Sequence, residues 1–123
     1  MREVVFARRR EAAKACTLTA CLGLDGSLVF DEDDHYPPLG ADPGHEQDEY
    51  LSVHAAHKAD VLRCLDLAFD GLSRTCGEIP DERLLCALQA LAGLGHWQSL
   101  DEVEAWLLEH GIPFHKQRWL HAE

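Results

Sequence analysis

Residues 28–60 read LVFDEDDHYPPLGADPGHEQDEYLSVHAAHKAD, and the rest of the chain is organised around this stretch. An apolar segment leads into a block of acids and then into a loop rich in proline and glycine. An alternating segment and a helical pattern follow. Alternation favours strands, whereas proline and glycine interrupt regular structure. We therefore expect two strands joined by a long irregular loop that lasts until about Asp48, with the acids of residues 31–34 solvated on a loop or strand end.

A β-hairpin is predicted immediately before this loop. Residues 16–23, CTLTACLG, alternate in the manner of a half-buried strand, and residues 28–30 supply the returning strand. Between them, Leu24-Asp25-Gly26-Ser27 has the composition of a tight turn, because Gly26 can adopt a positive φ without steric cost. Residues 49–53, EYLSV, then predict a third strand that pairs with the hairpin.

Helical spacing of apolar residues dominates the second half of the chain, and it predicts helices over residues 55–72, 82–92 and 99–111. Asp81 is the expected N-cap of the second helix. Ser99 and Glu102 have the spacing of a capping box, in which each side chain bonds the backbone of the other residue. Residues 3–10 fit either a short edge strand or the first turns of a helix, and of the two we favour the strand. Less regular alternation predicts a last strand over residues 112–120.

These elements indicate one domain over residues 1–123, because a chain of 123 residues can bury one core without staples. The expected fold class is α+β. A small antiparallel sheet, made of the hairpin, the third strand and the C-terminal strand, is packed by about three helices.

Charge is distributed unevenly along the chain, whose formal net charge is −11. Residues 16–60 contain ten acids against Lys58 alone, a net charge of −9. A field of this sign repels nucleic acid phosphate and attracts a basic partner. We therefore expect no direct binding of nucleic acid, and Arg8, Arg9 and Arg10 are the only local exception.

The five cysteines are odd in number and irregularly spaced, and we expect all of them to be small buried residues without a disulfide: Cys16, Cys21, Cys64, Cys76 and Cys86. No apolar run is long enough to span a membrane, and residues 1–14 lack the apolar core of a signal peptide. The sequence therefore predicts a cytoplasmic protein that does not bind membranes.

Motifs for catalysis are missing from the sequence. No nucleophile elbow, phosphate-binding glycine loop or dinucleotide fingerprint is present. Residues 31–35 spell DEDDH, the acronym of an exonuclease class, but contiguous acids cannot all converge on two metal ions, because alternate side chains point apart. His54 and His57 have helical i, i+3 spacing, with Cys64 on the same face, so a metal site is an alternative. We expect no cofactor.

Four segments resemble small uncharacterised acidic proteins of high-GC actinobacteria: LVFDEDDHYPP, DEYLSV, HAAHKADVLRCL and LDEVEAWLLEHGIPFHKQRW. Those proteins have a strand ending in acid and glycine, a D-E-Y strand followed by a helix, and a closing helix with H-G-I-P. This chain has His54 where their pattern has proline, and its loop at residues 37–47 is longer and more acidic. The resemblance implies no activity. In size and acidity the chain is also similar to immunity proteins and to phage anti-CRISPR proteins.

We therefore expect a non-enzymatic inhibitor, an immunity factor or an anti-CRISPR-like protein, that blocks a basic site on a nuclease, toxin or effector. Its expected contact residues are Asp31, Glu32, Asp33, Asp34, Tyr36, Asp48, Glu49 and Tyr50. Two alternatives remain open. One is a small metal-binding protein or metal-dependent enzyme that uses His54 and His57, and the other is a homodimer formed through an open sheet edge.

Overall fold

A computed structural model describes residues 3–11, 14–38, 40–41 and 44–122, and for residue 11 and residues 119–122 it describes the backbone alone. Five strands are formed: β1 (Glu3–Glu11), β2 (Lys14–Leu22), β3 (Leu28–Tyr36), β4 (His45–Val53) and β5 (His115–Ala122). A short 3₁₀ helix (Ala55–His57) leads into three α-helices: α1 (Lys58–Ala68), α2 (Pro80–Gly93) and α3 (Leu100–Glu109). None of the described helices is long and apolar enough to cross a membrane.

The strands form one antiparallel sheet in the order of the sequence, from β1 to β5. The predicted α+β class, with a small sheet packed by three helices, is therefore confirmed. The hairpin of β2 and β3 turns at Gly26, whose φ of 85° is the positive value that the sequence required. Neighbouring strands pair along the chain, so the backbone of the acidic segment pairs with β2 and β4, the strands adjacent to β3 in sequence.

The acid block lies inside β3, which corrects the prediction of a loop or strand end. Residues 31–34 pair with β2 on one side and with β4 on the other, and Asp34 is 7% exposed. Likewise, β4 begins at His45 and not near residue 49. Aspartate has low strand propensity by itself, but pairing on both sides outweighs that preference.

Gly44 sets the point at which β4 begins. Its φ is 81°, and a Cβ atom at this position would lie 2.5 Å from the carbonyl oxygen of Tyr36, the last residue of β3. Only glycine fits this close approach. The proline- and glycine-rich connection is therefore confined to residues 37–44, of which residues 39, 42 and 43 lie outside the described part.

The three helices pack on one face of the sheet. Leu28 and Phe30 of β3 and Leu51 and Val53 of β4 are fully buried on this face, which we call the helix-side face. Side chains that alternate with them lie on the opposite face, which we call the outer face. Every described side chain of β1 to β4 on the outer face is at least partly exposed, so none of the described helices packs over this face.

Aromatic side chains occupy the centre of the core. The ring of Trp97 lies 5.5 Å from Phe6, 5.7 Å from Phe30 and 5.4 Å from Trp106, measured between centroids. Such tilted and edge-on contacts are the favoured geometries for aromatic pairs. They join β1, β3 and α3 into a single packed unit.

Helix starts differ from the sequence prediction. The helix predicted from residue 55 begins as the 3₁₀ helix, and α1 itself begins at Lys58. α2 begins at Pro80, and its N-cap residue Ile79 lies two residues before the expected cap Asp81. Ser99 is the N-cap of α3 as predicted, but its side chain makes no capping hydrogen bond, so the capping box is wrong. Instead the backbone N–H of Leu100 donates to Glu32 Oε1 of β3, at 3.1 Å.

Cys76 and Cys86 form a disulfide, which corrects the prediction that all five cysteines are unpaired. The bridge joins the segment between α1 and α2 to the middle of α2. Cys16, Cys21 and Cys64 are free thiols. Because disulfides persist mainly in oxidising compartments, the bridge removes the cysteine pattern as a reason for the cytoplasmic prediction.

Candidate functional site

The eight residues predicted to contact a partner are divided between the two faces of the sheet. Successive side chains of a strand point to opposite faces, and the buried residues of β3 and β4 fix which face is which. The helix-side face carries Glu32, Asp34, Tyr36 and Glu49. The outer face carries Asp31, Asp33, Asp48 and Tyr50, and we call these four residues the outer acidic patch.

Strand pairing brings the members of the outer acidic patch together. Asp33 of β3 lies directly opposite Asp48 of β4, and Asp31 lies opposite Tyr50. Side chains opposite each other in an antiparallel pair are close neighbours, and like charges there are destabilising. The register therefore brings together three carboxyl groups, two from β3 and one from β4, although the connection between these strands separates them in the sequence.

The environment of the patch favours the protonated forms of Asp31 and Asp33. Burial, and then the negative charges of Asp48 and Asp33, raise the pKa of Asp31 to about 7. Burial and the charge of Asp48 also raise the pKa of Asp33. The pKa of the Tyr50 hydroxyl is raised by burial and by the same carboxylates. Ionising these two carboxyl groups therefore costs more free energy in the folded protein than it does in water.

Two acceptor atoms of the patch lack partners. Asp31 Oδ1 and Asp33 Oδ1 are buried and accept no hydrogen bond from the residues that the structure describes. Within residues 3–11, 14–38, 40–41 and 44–118, neither carboxylate forms an ion pair with a lysine, arginine or histidine. A buried carboxylate oxygen without a donor is unfavourable, so a cationic donor from outside the chain would stabilise this arrangement.

Acids on the helix-side face, unlike Asp31 and Asp33, form hydrogen bonds or ion pairs with cationic side chains and backbone N–H groups of the same chain. Glu32 accepts from Arg9 Nη2 at 3.3 Å as well as from the N–H of Leu100. Asp34 Oδ2 lies 3.5 Å from Lys14 Nζ, whereas the buried Asp34 Oδ1 accepts no hydrogen bond from the described residues. These contacts give Glu32 and Asp34 structural roles between β1, β2 and α3.

Glu49 joins β4 to β5 and to α3. It accepts from Arg118 Nε at 3.0 Å and from Arg118 Nη2 at 2.8 Å, and Lys116 Nζ lies 3.2 Å from its other oxygen. Burial raises the pKa of Glu49, but the hydrogen bonds from Arg118 and Lys116 outweigh burial and lower it. Lys116 also bonds Glu104 of α3 at 3.1 Å. Glu49 is thus an ionised structural residue.

Tyr36 closes the polar end of the helix-side face. Its ring stacks on the ring of His45 with 4.3 Å between centroids, and Lys14 Nζ lies 5.7 Å from the centroid of the Tyr36 ring. Tyr36 is therefore held by an aromatic contact and a cation contact within the chain, whereas Tyr50 lies on the outer face among carboxylates.

The two histidines of the alternative metal site have separate contacts. His54 Nδ1 accepts from the backbone N–H of Ala56, and His57 Nδ1 lies 3.5 Å from Asp60. Cys64 is 6% exposed and packs in the core. Across the described residues, no group of three or more histidine, cysteine or acidic side chains is arranged to hold a metal ion, so this alternative receives no support from the geometry.

Comparisons with protein-family models, with curated proteins and with solved structures find no match for this chain.

The sequence prediction grouped the eight contact residues as one surface because their separation by face depends on strand pairing through the acid block. It also missed a groove between α1 and α2, although Leu62 and Leu67 lie off the inward stripe of α1 and were a visible signal.

Proposed function

We propose that this protein is a non-enzymatic binding protein that docks the outer face of its sheet on a basic surface of a protein partner. The observation that carries the proposal is the outer acidic patch, where the carboxylates of Asp31 and Asp33 have buried oxygens without hydrogen-bond donors. The patch lies on a face that none of the helices in the described part of the chain covers. A partner that presents arginine or lysine there supplies both the missing donors and the missing positive charge.

Electrostatics favour this kind of partner over a neutral one. Burial, and then repulsion between the carboxylates, raises the pKa of Asp31 and Asp33, and a nearby cation opposes both effects and lowers both values. Binding at neutral pH should therefore release protons. Association should be fast and should weaken as salt is added, because the attraction acts between charged surfaces.

The finer proposal is that the protein is an inhibitor, either an immunity factor or an anti-CRISPR-like protein, that blocks the basic site of a nuclease, toxin or effector. Its support is the net charge of −9 over residues 16–60 and the absence of catalytic motifs in the sequence. Basic clefts of such enzymes bind phosphate backbones, so an acidic surface can occupy the same cleft.

Calorimetric titration with protamine, a defined arginine-rich polypeptide, tests the binding proposal. Asp31→Asn with Asp33→Asn should weaken binding by about tenfold, a loss of about 1.4 kcal/mol. The matched control neutralises Glu102 and Glu109 to glutamine, two exposed acids of α3. Comparable weakening in both double variants would show that only total charge matters and would contradict the proposed surface.

Proton release gives a second readout of the same titration. At pH 7 the carboxyl group of Asp31 is partly protonated, so docking of a cation should release protons into the buffer. Titration in two buffers of different ionisation enthalpy measures the number of protons released per binding event. Asp31→Asn should reduce it, and an unchanged proton release would place the protamine site away from Asp31.

A further inference from the structure

A groove of about 560 Å³ lies between α1 and the start of α2, on the helical side of the molecule and away from the outer face. Six of its lining residues are apolar: Ala55, Ala59, Leu62, Leu67, Pro80 and Leu84. Its volume falls within the range of small-molecule sites, about 300 to 1,000 Å³. The groove is independent of the outer acidic patch.

The groove exists because α1 carries more apolar residues than the sheet can cover. Val61, Cys64 and Leu65 are buried against the core, whereas Leu67 on the other flank is 75% exposed. Ala59 is small and exposed, so it leaves space between the two helices. The apolar flank of α1 therefore stays open to solvent, although burying it would be favourable.

The polar groups of the groove are unequal in their remaining hydrogen-bonding capacity. Both carboxylate oxygens of Asp66 already accept bonds from Ser73, at 2.7 and 2.6 Å. Lys58 has three N–H donors, and in the described part of the chain it bonds a single acceptor, Asp81 Oδ1, at 2.7 Å. The Lys58 side chain is only 15% exposed, so its ammonium group is held at the wall of the groove.

Arg63 adds further donors at the rim. It uses one of its five N–H groups on Asp60, at 3.1 Å, and its side chain is 62% exposed. Asp81, a fourth polar residue of the lining, uses one carboxylate oxygen on Lys58, so the spare donors beside the apolar channel are the remaining N–H groups of Lys58 and Arg63. A ligand that complements the groove has a hydrocarbon body and an anionic acceptor at one end.

We propose that this groove binds a small amphiphile with an apolar hydrocarbon body and a carboxylate head, the body lying along Ala59, Leu62 and Leu67 and the head bonding Lys58. The occupant is a small molecule and not a protein helix, because Lys58 is recessed beside Asp81, where a single head group can reach it. This inference stands without the proposed docking of the outer face.

Decanoate, used below its micellar concentration, is the test ligand, and decanol is its uncharged match. Calorimetry should show saturable binding of decanoate, and nuclear magnetic resonance should place its largest shift changes at residues 55–67 and 80–84. Ala59→Trp fills the groove and should weaken binding by at least about tenfold. Leu67→Ser should weaken binding, whereas Leu108→Ser, at another exposed leucine, in α3, should not.

Lys58→Met tests the head group, because it keeps an unbranched chain and leaves the half-exposed Asp81 in contact with water. This variant should bind decanoate and decanol equally, whereas the native protein should prefer decanoate. Equal affinity for both ligands in the native protein, no saturation, or equal losses in Leu67→Ser and Leu108→Ser would overturn the proposal. A dimeric mass in solution that becomes monomeric in Ala59→Trp would also overturn it, because the groove would then hold a second copy.

Discussion

The carboxylate of Glu32 caps α3 by accepting a hydrogen bond from the backbone N–H of Leu100, 68 positions further along the chain, at 3.1 Å. Leu100 is the first residue of α3, so its N–H has no acceptor within the helix. Arg9 of β1 binds the same Glu32 oxygen at 3.3 Å. One acid of the DEDD block thereby fixes a helix terminus and an edge strand to the centre of the sheet.

Glu32→Ala should lower the free energy of unfolding by about 1 to 2 kcal/mol, because it removes the cap of α3 and leaves Arg9 without this partner. Urea unfolding followed by tryptophan fluorescence measures the change, since Trp97 and Trp106 pack in the core beside α3. Glu102→Ala is the control, because the structure shows no capping role for Glu102. A larger loss in the control would restore the capping box predicted from sequence.

Local signals explain which elements the sequence could predict. The hairpin depends on Gly26 and on alternation within nine residues, and the end of α3 depends on Gly111 and Pro113, so both are encoded where they occur. The extension of β3 through residues 31–34 is not local. It depends on cations of other strands, Arg9 and Lys14 among them, that reach these acids only when the sheet is formed.

The same reason limits the prediction of the site. Charge counts along the sequence predicted an acidic surface. The two faces are separated by the alternation of side chains along β3, whose extension through residues 31–34 was not predicted. This alternation directs Asp31 and Asp33 outward and residues 32 and 34 toward the helices. The disulfide depends on proximity between a connecting segment and α2. Neither relationship leaves a pattern in residue spacing.

The contribution of Asp31 to the free energy of unfolding should decrease as pH rises from about 4 to about 7. Its pKa in the folded protein is raised to about 7, so the folded state holds the proton more tightly than the unfolded state does. This contribution to stability is complete below the ordinary pKa of aspartate and is lost as pH rises through the raised pKa. Asp31→Asn should therefore have little effect at low pH and should stabilise the protein, relative to the native chain, at neutral pH.

Urea unfolding of the native chain and of Asp31→Asn over this pH range measures the difference directly. Asp101→Asn, at an exposed aspartate of α3, is the control and should give a difference that does not change with pH. Asp48→Asn should lower the pKa of Asp31, because it removes a neighbouring negative charge. A pH-independent effect of Asp31→Asn would show that Asp31 titrates as an ordinary exposed acid.

The β3–β4 connection should tolerate alanine at Gly40 better than at Gly44. Both glycines have positive φ, but only at Gly44 would a Cβ atom collide with backbone, 2.5 Å from the Tyr36 carbonyl oxygen. Gly44→Ala should lower the free energy of unfolding by about 1 to 3 kcal/mol more than Gly40→Ala does. Because both variants carry the cost of a positive φ, the difference between them reports the collision alone. Thermal unfolding of the two variants checks this, and equal costs would contradict the full-length pairing of β3 and β4.

Reduction of the Cys76–Cys86 disulfide should destabilise the protein by about 2 to 3 kcal/mol, since the bridge closes a short loop and restricts the unfolded chain. Alkylation of the unfolded protein without reductant should label three cysteines, Cys16, Cys21 and Cys64. After reduction, all five should react. Mass spectrometry counts the added groups, and five labels before reduction would show that the bridge is not formed.

The central claim is that the outer acidic patch, and not the acids of the helix-side face, receives a basic partner. The most direct measurement is nuclear magnetic resonance mapping of the isotope-labelled protein during titration with protamine. The account predicts the largest, salt-sensitive changes in the carboxyl signals of Asp31, Asp33 and Asp48, with little change in those of Glu32 and Glu49, which are engaged within the fold. Changes centred on Glu32 and Glu49, or spread evenly over exposed acids such as Glu102 and Glu109, would contradict it.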